Sequence, residues 1–179
     1  MQFQEGQRIH IIGVGGFGMS AIARILLLRG FDVSGSDRNS NHFTSALADD
    51  GATIYAGHDA SYVDDVDMVL ATSAVPQDHV EVVAARERDI PVYKRQDVLA
   101  PLMEGHIVIA VAGTHGKTTT TSLIVHILID NGLDPSYIVG GVMANTGTNA
   151  GVGKGRIFVI EADEYDNMFL GLKPDIALI

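Results

Sequence analysis

Two glycine loops, each wedged between an apolar strand and a helix, govern what this chain can fold into. Gly13-Val14-Gly15-Gly16-Phe17-Gly18 follows the apolar segment 8–12, and Ala112-Gly113-Thr114-His115-Gly116-Lys117-Thr118-Thr119 follows the apolar segment 107–112. A strand that turns on glycine and feeds a helix is the first half of a βαβ unit, whose natural setting is a parallel sheet flanked by helices. The two loops differ in grammar, so one chain carries two distinct phosphate-binding turns. That pairing points to an enzyme that holds a phosphorylated substrate while consuming ATP.

The rest of the chain keeps the same alternation. Strands are predicted at 8–12, 31–36, 53–55, 67–72 and 91–93, with helices at 19–29, 44–49, 80–88 and 96–103. Glu104-Gly105-His106 is polar and breaks the pattern, which places a domain boundary near residue 104. The pattern restarts with a strand at 107–112, apolar at every position, as suits burial on both faces. A helix at 119–129 and a strand at 156–160 follow. Asp175-Ile176-Ala177-Leu178-Ile179 reads as the start of a buried strand. The expected fold class is α/β: a Rossmann-like parallel-sheet domain over 1–103, then the first part of a P-loop ATPase domain over 104–179, truncated within its core.

Bulk properties exclude several functions. A net charge of -10 argues against nucleic acid or an anionic membrane as partner, since both require basic patches. Phosphates must then be held locally, by backbone N–H groups and a few cations. With no cysteine there is no thiolate metal site and no cysteine nucleophile. No apolar run approaches the roughly 18 residues of a membrane span, and Met1-Gln2-Phe3-Gln4-Glu5 is no signal peptide, so a cytoplasmic location is expected.

In the first loop, Gly13 serves the tight turn, Gly15 the approach of a diphosphate to the backbone, and Gly18 close packing of helix on strand. The helix start adds N–H groups and its dipole. Asp37 lies where a dinucleotide enzyme binds a ribose hydroxyl. The motif does not choose between NAD and a nucleotide sugar, and residues 9–37 alone suit a nicotinamide-dependent oxidoreductase.

The second loop departs from the standard P-loop, because Val111 stands where Gly-x-x-x-x-Gly-Lys-Thr has its first glycine. Gly113, Gly116, Lys117 and Thr118 remain. Lys117 is placed to reach the β- and γ-phosphates, the Thr118 hydroxyl to ligate Mg²⁺, and Thr119 to donate or cap. Glu161, first after the apolar run 157–160, is the candidate for the acid that completes a Mg²⁺ shell. Asp163 and Glu164 reach it through water or carry surface charge. His115 occupies a variable slot facing a phosphate or solvent, His126 is expected to pack, and Asp64-Asp65 to be a solvated loop.

Gly-Thr-His-Gly-Lys-Thr-Thr-Thr-Thr (113–121) with Glu-Ala-Asp-Glu (161–164) resembles the Mur ligases of bacterial cell-wall synthesis. Residues 11–23, Gly-Ser-Asp (35–37), Thr-Ser-Ala-Val (72–75) and Ile-Pro-Val-Tyr-Lys-Arg (90–95) are similar as well, in the same order along the whole chain. The resemblance implies a three-domain ATP- and Mg²⁺-dependent carboxylate–amine ligase, of which this chain would hold the first domain, part of the second and none of the third. It would join L-alanine to UDP-N-acetylmuramate through an acyl phosphate, with the fragment alone inactive and the enzyme a monomer or weak homodimer. Tyr165, where the alanine-adding branch often has serine, leaves open the recycling branch that adds a tripeptide. By the same resemblance Gly13, Gly15, Gly16, Phe17 and Gly18 would hold the UDP diphosphate, Asp37 would lie near the uridine and Ser73 would line that crevice. Gly140-Gly141 and Asn145 to Thr148 would approach the muramoyl group or the γ-phosphate.

Overall fold

The computed structural model describes residues 3–4, 6–162 and 172–179. The chain falls into two compact units, Met1–Arg95 and Gln96–Ile179.

In the first unit, β1 (Arg8–Ile12), α1 (Phe17–Leu28), β2 (Asp32–Asp37), α2 (His42–Asp49), β3 (Thr53–Ala56), β4 (Met68–Ala71), α3 (Val80–Glu87) and β5 (Val92–Lys94) alternate, with one 3₁₀ turn at Ala60–Val63 before β4. The sheet order is β3-β2-β1-β4-β5 and every pairing is parallel. The chain runs outward from β1 to β3, then returns to place β4 on the other side of β1. That reversal opens a crevice at the carboxyl ends of β1 and β4, where ligands bind in open α/β sheets. Ile9 to Ile12 of β1 and Met68 to Ala71 of β4 are all buried, as a sheet covered on both faces requires.

Helix ends follow local rules. After α1, Gly30 takes φ +84°, its N–H donates to Leu27 O, and the N–H of Phe31 donates to Leu26 O. The same paired bonds close α2 through Gly51, and α3 through Asp89, a non-glycine residue at φ 57°. Asn41 caps α2: its side chain accepts from the N–H groups of Phe43 and Thr44, and Thr44 Oγ1 accepts from the Asn41 N–H.

The second unit holds nearly all of α4 (Arg95–Met103), then β6 (Ile107–Val111), α5 (Lys117–Asp130), β7 (Ser136–Ile138), β8 (Ala150–Gly151), β9 (Ile157–Glu161) and β10 (Ile176–Leu178). Its sheet order is β10-β6-β9-β7-β8, parallel except for the β7–β8 pair. The division between the two compact units falls at the start of α4. Val98, Leu99, Leu102 and Met103 bury one side of that helix, and bonds from Glu104 N to Pro101 O and from His106 N to Met103 O lead directly into β6. Among the described residues β10 pairs in parallel with β6, Ile176 lying opposite Ile109 and Leu178 opposite Val111.

Candidate functional site

The first glycine loop sits at the carboxyl end of β1, and its neighbours hold it closely. Ser36 O accepts from the N–H groups of both Gly13 and Val14. Asp37 Oδ2 accepts from Gly15 N–H at 2.9 Å and Asp37 Oδ1 from Asn39 N–H at 3.1 Å. Asn41 Nδ2 donates to Gly15 O at 2.9 Å. Asp37 therefore braces the loop. Gly13 and Gly15 each have a local cause. Gly13 has φ +77°, and a Cβ there would lie 2.7 Å from Thr72 Cγ2. A Cβ on Gly15 would lie 2.9 Å from both Asp37 Oδ2 and Asn41 Nδ2. At the third glycine, Gly18, the nearest atoms to a would-be Cβ belong to the Arg95 guanidinium, with Nη1 at 2.5 Å. Gly16 and Phe17 are exposed at the start of α1, where the first-turn N–H groups of a helix face outward.

Ser73 follows β4 in a turn closed by Val75 N–H to Thr72 O. Lys94 Nζ, from the end of β5, donates to the carbonyls of Thr72 and Val75 at 3.2 and 3.3 Å. Behind the loop lies a polar cluster that sequence reasoning missed. Glu81 of α3 is fully buried; its carboxylate accepts from Ser36 Oγ at 2.7 Å and meets His10 Nε2 at 3.1 Å and His58 Nδ1 at 3.0 Å. His10 Nδ1 in turn meets Ser34 Oγ at 2.8 Å. Burial pushes the Glu81 carboxyl up, but the bonds from His10, Ser36 and His58 outweigh it and hold the group below its ordinary value. The pKa of nearby His79 is lowered, chiefly by burial and then by His58. No motif marks this cluster, because its members come from four separate segments.

In the second unit three strand ends converge. Register pairs Val111 with Glu161 and Ile138 with Ile160, so the Lys117 loop, Gly140 and Glu161 lie together at the carboxyl ends of the parallel strands. Glu161 is only 9% exposed. Thr118 Oγ1 donates to Glu161 Oε1 at 3.0 Å, and Gly140 N–H donates to Glu161 Oε2 at 2.8 Å. A Cβ on Gly140 would lie 2.6 Å from that same Oε2, so only glycine lets the carboxylate turn toward Thr118. Lys117 Nζ folds back onto Gly113 O at 2.8 Å. Gly113 and Gly116 take φ +134° and +79°, and Gly116 is the cap of α5 without a side-chain bond. Val111, in the place of the missing glycine, is the buried last residue of β6, and its carbonyl accepts from Ala162 N–H.

Thr114, His115 and Thr119 are exposed around this loop. His126 is not packed as expected: it lies half exposed on α5, with Nδ1 meeting Asn145 Nδ2 at 3.2 Å and Nε2 at 3.5 Å from Asp130. Thr148 binds Thr146, Tyr137 and Ala150 and so shapes its own loop. Asp64 and Asp65 are exposed, Asp64 being paired with Arg88 at 2.6 Å. Asp163, Glu164 and Tyr165 lie outside the described residues. Among the described residues no group of three or more His, Cys, Asp or Glu could hold a metal ion. The Thr118 hydroxyl and the adjacent Glu161 carboxylate are nonetheless hard oxygen donors of the kind Mg²⁺ takes, alongside substrate phosphate and water. Among the described residues no helix is long and apolar enough to cross a membrane.

A profile described as the Mur ligase family's catalytic domain matches residues 8–107, more than half of the chain. The chain belongs to the Mur ligase family. A UDP-N-acetylmuramate–L-alanine ligase of Methylococcus capsulatus is 52% identical over 172 residues, covering 96% of this chain and 36% of that protein. One from Chlorobium phaeovibrioides is 50% identical over 180 residues, covering all of this chain and 38% of the relative. The chain thus spans little more than a third of the length of these relatives. Among solved structures, a UDP-N-acetylmuramate–alanine ligase from Thermotoga maritima matches with a TM-score of 0.87 at 35% identity, covering 96% of this chain and 40% of that one. A UDP-N-acetylmuramate:L-alanyl-γ-D-glutamyl-meso-diaminopimelate ligase from Neisseria matches at 0.88 and 33%, covering 96% and 59%. The α/β architecture with its Rossmann-like parallel sheet is therefore that of Mur ligases.

Proposed function

We propose that this chain forms the nucleotide-sugar-binding domain and the start of the ATP-binding domain of a cytoplasmic ligase that joins L-alanine to UDP-N-acetylmuramate. The observation that carries the ATP half is the Thr118 hydroxyl bonded to the Glu161 carboxylate beside the Lys117 loop. The relatives near 50% identity are alanine ligases, which supports L-alanine as the amine. The Neisseria tripeptide ligase, equally close in fold at lower identity, supports a tripeptide as the second reading.

The chemistry follows from charge. The muramoyl carboxylate attacks the γ-phosphorus of ATP, the bond to ADP breaks, and an acyl phosphate forms. The amine then attacks the acyl carbon, loses a proton and expels inorganic phosphate. The first step brings two anions together, so the site must disperse charge. Lys117 exchanges Gly113 O for phosphate oxygens, and the N–H groups of the loop and of the first turn of α5 bind the rest. Thr118 and Glu161 would hold Mg²⁺, which supplies positive charge to the phosphates when bound. Gly140 N–H keeps the Glu161 carboxylate oriented toward Thr118. At the other loop, N–H groups at the start of α1 would receive the UDP diphosphate.

The test is calorimetric titration of the chain with UDP-N-acetylmuramate, in competition with NADH. Binding of the UDP sugar alone is the expected result. Binding of NADH alone would overturn the ligase reading in favour of an oxidoreductase.

A further inference from the structure

We infer that Arg95 is the cation that receives the diphosphate of the UDP substrate, and that Gly18 is glycine in order to admit its guanidinium. The inference rests on the first loop binding a UDP moiety, as proposed above, and adds the residue that balances its charge.

The loop has no cation of its own: residues 9–23 contain neither lysine nor arginine. In a chain of net charge -10, two phosphate groups at the mouth of α1 need a positive partner brought from elsewhere. The junction of β5 and α4 brings two side by side. Lys94 turns to the carbonyls of Thr72 and Val75 and is used in holding the Ser73 turn. Arg95, next in the chain, lays its guanidinium on Gly18: a Cβ there would lie 2.5 Å from Nη1 and 2.7 Å from Nε. Gly18 is the second residue of α1, where N–H groups have no intrahelical acceptor and face an incoming anion. The guanidinium thus sits in the first turn of the helix whose N–H groups are to bind phosphate. Its planar fork suits two phosphate oxygens at once, which an ammonium group cannot match. A side chain at Gly18 would therefore displace the cation.

Arg38 is the competing candidate, an exposed cation directly after Asp37. The experiment compares UDP with uridine, titrated by NMR into the wild-type chain and into Arg95→Gln, Arg95→Lys, Gly18→Ala and Arg38→Gln. Arg95→Gln is expected to weaken UDP about 10- to 100-fold, or about 1.4–2.8 kcal/mol at 1.4 kcal/mol per tenfold. Uridine affinity should stay within about twofold, Arg95→Lys should recover part of the loss, and the UDP affinity of the wild type should fall more steeply with salt than that of Arg95→Gln. Gly18→Ala, which keeps the arginine but displaces it, should show the same selective loss. Equal loss of UDP and uridine would mean that Arg95 only supports the fold, and would overturn the inference. So would a selective loss in Arg38→Gln with none in Arg95→Gln. A wild-type chain that binds no UDP would overturn the UDP reading itself, and this inference with it.

Discussion

Replacing Glu81 by glutamine tests whether the buried carboxylate behind the first glycine loop holds that loop in place. The substitution keeps volume and shape, so no cavity contributes. It removes the charge that accepts from Ser36 Oγ and faces His10 Nε2 and His58 Nδ1. An amide has one oxygen to offer, so at least one of these donors must face an NH₂ group. Each charge-assisted bond contributes about 1.5–3 kcal/mol, and a donor left buried without an acceptor costs about as much. Allowing for reorientation of hydroxyls, the loss at neutral pH should be about 2–4 kcal/mol. For a domain of this size that corresponds to roughly 10–25 °C in melting temperature. The pH dependence has a definite sign. Glu81 titrates below its ordinary value of 4.5 in the folded chain, so its contribution is complete above that value and is lost as pH falls through the lower folded one. The gap between wild type and Glu81→Gln should therefore narrow in acid. Circular-dichroism melts at pH 7 and in steps below pH 4.5 measure both effects. A variant that melts within about 2 °C of wild type at pH 7, or a gap that stays constant in acid, would refute the reasoning.

Three other outcomes follow from the same geometry. Lys117→Ala in the full-length enzyme should abolish ATP-dependent ligation while leaving the affinity for UDP-N-acetylmuramate within about twofold; equal loss of both would contradict the division of labour between the two loops. Gly140→Ala places a Cβ 2.6 Å from Glu161 Oε2 and should swing the carboxylate off Thr118. ATP titrations with and without Mg²⁺ should then show at least a tenfold loss confined to the Mg²⁺ arm, and an unchanged arm would count against Glu161 as a ligand. Asp89→Gly relieves a non-glycine residue at φ 57° and should raise stability by about 0.5–1 kcal/mol in urea denaturation, whereas a loss would show that its side chain matters more than its backbone.

The alternation of strands and helices was legible because each element carries its own period and its own stop. Gly30, Gly51 and Gly132 end α1, α2 and α5, and the apolar cores of β1, β4, β6 and β9 stand out by composition. β7 and β8 were not legible: three- and two-residue strands are too short to show a period. The pairing of Thr118 with Glu161 was anticipated from a P-loop followed by an acid at a strand tip, because both halves of that rule are local. Arg95 was visible only as part of a resemblance, and Glu81 not at all. Local chemistry writes turns, caps and strand ends directly into the order of residues, so the sequence alone determined the α/β class, the two loops and the family. Strand order and side-chain convergence depend on which segments meet across the sheets, and no period along the chain encodes that. Only the tertiary structure could therefore pair β10 with β6, anchor Ser36 on Glu81, and set the Arg95 guanidinium against Gly18.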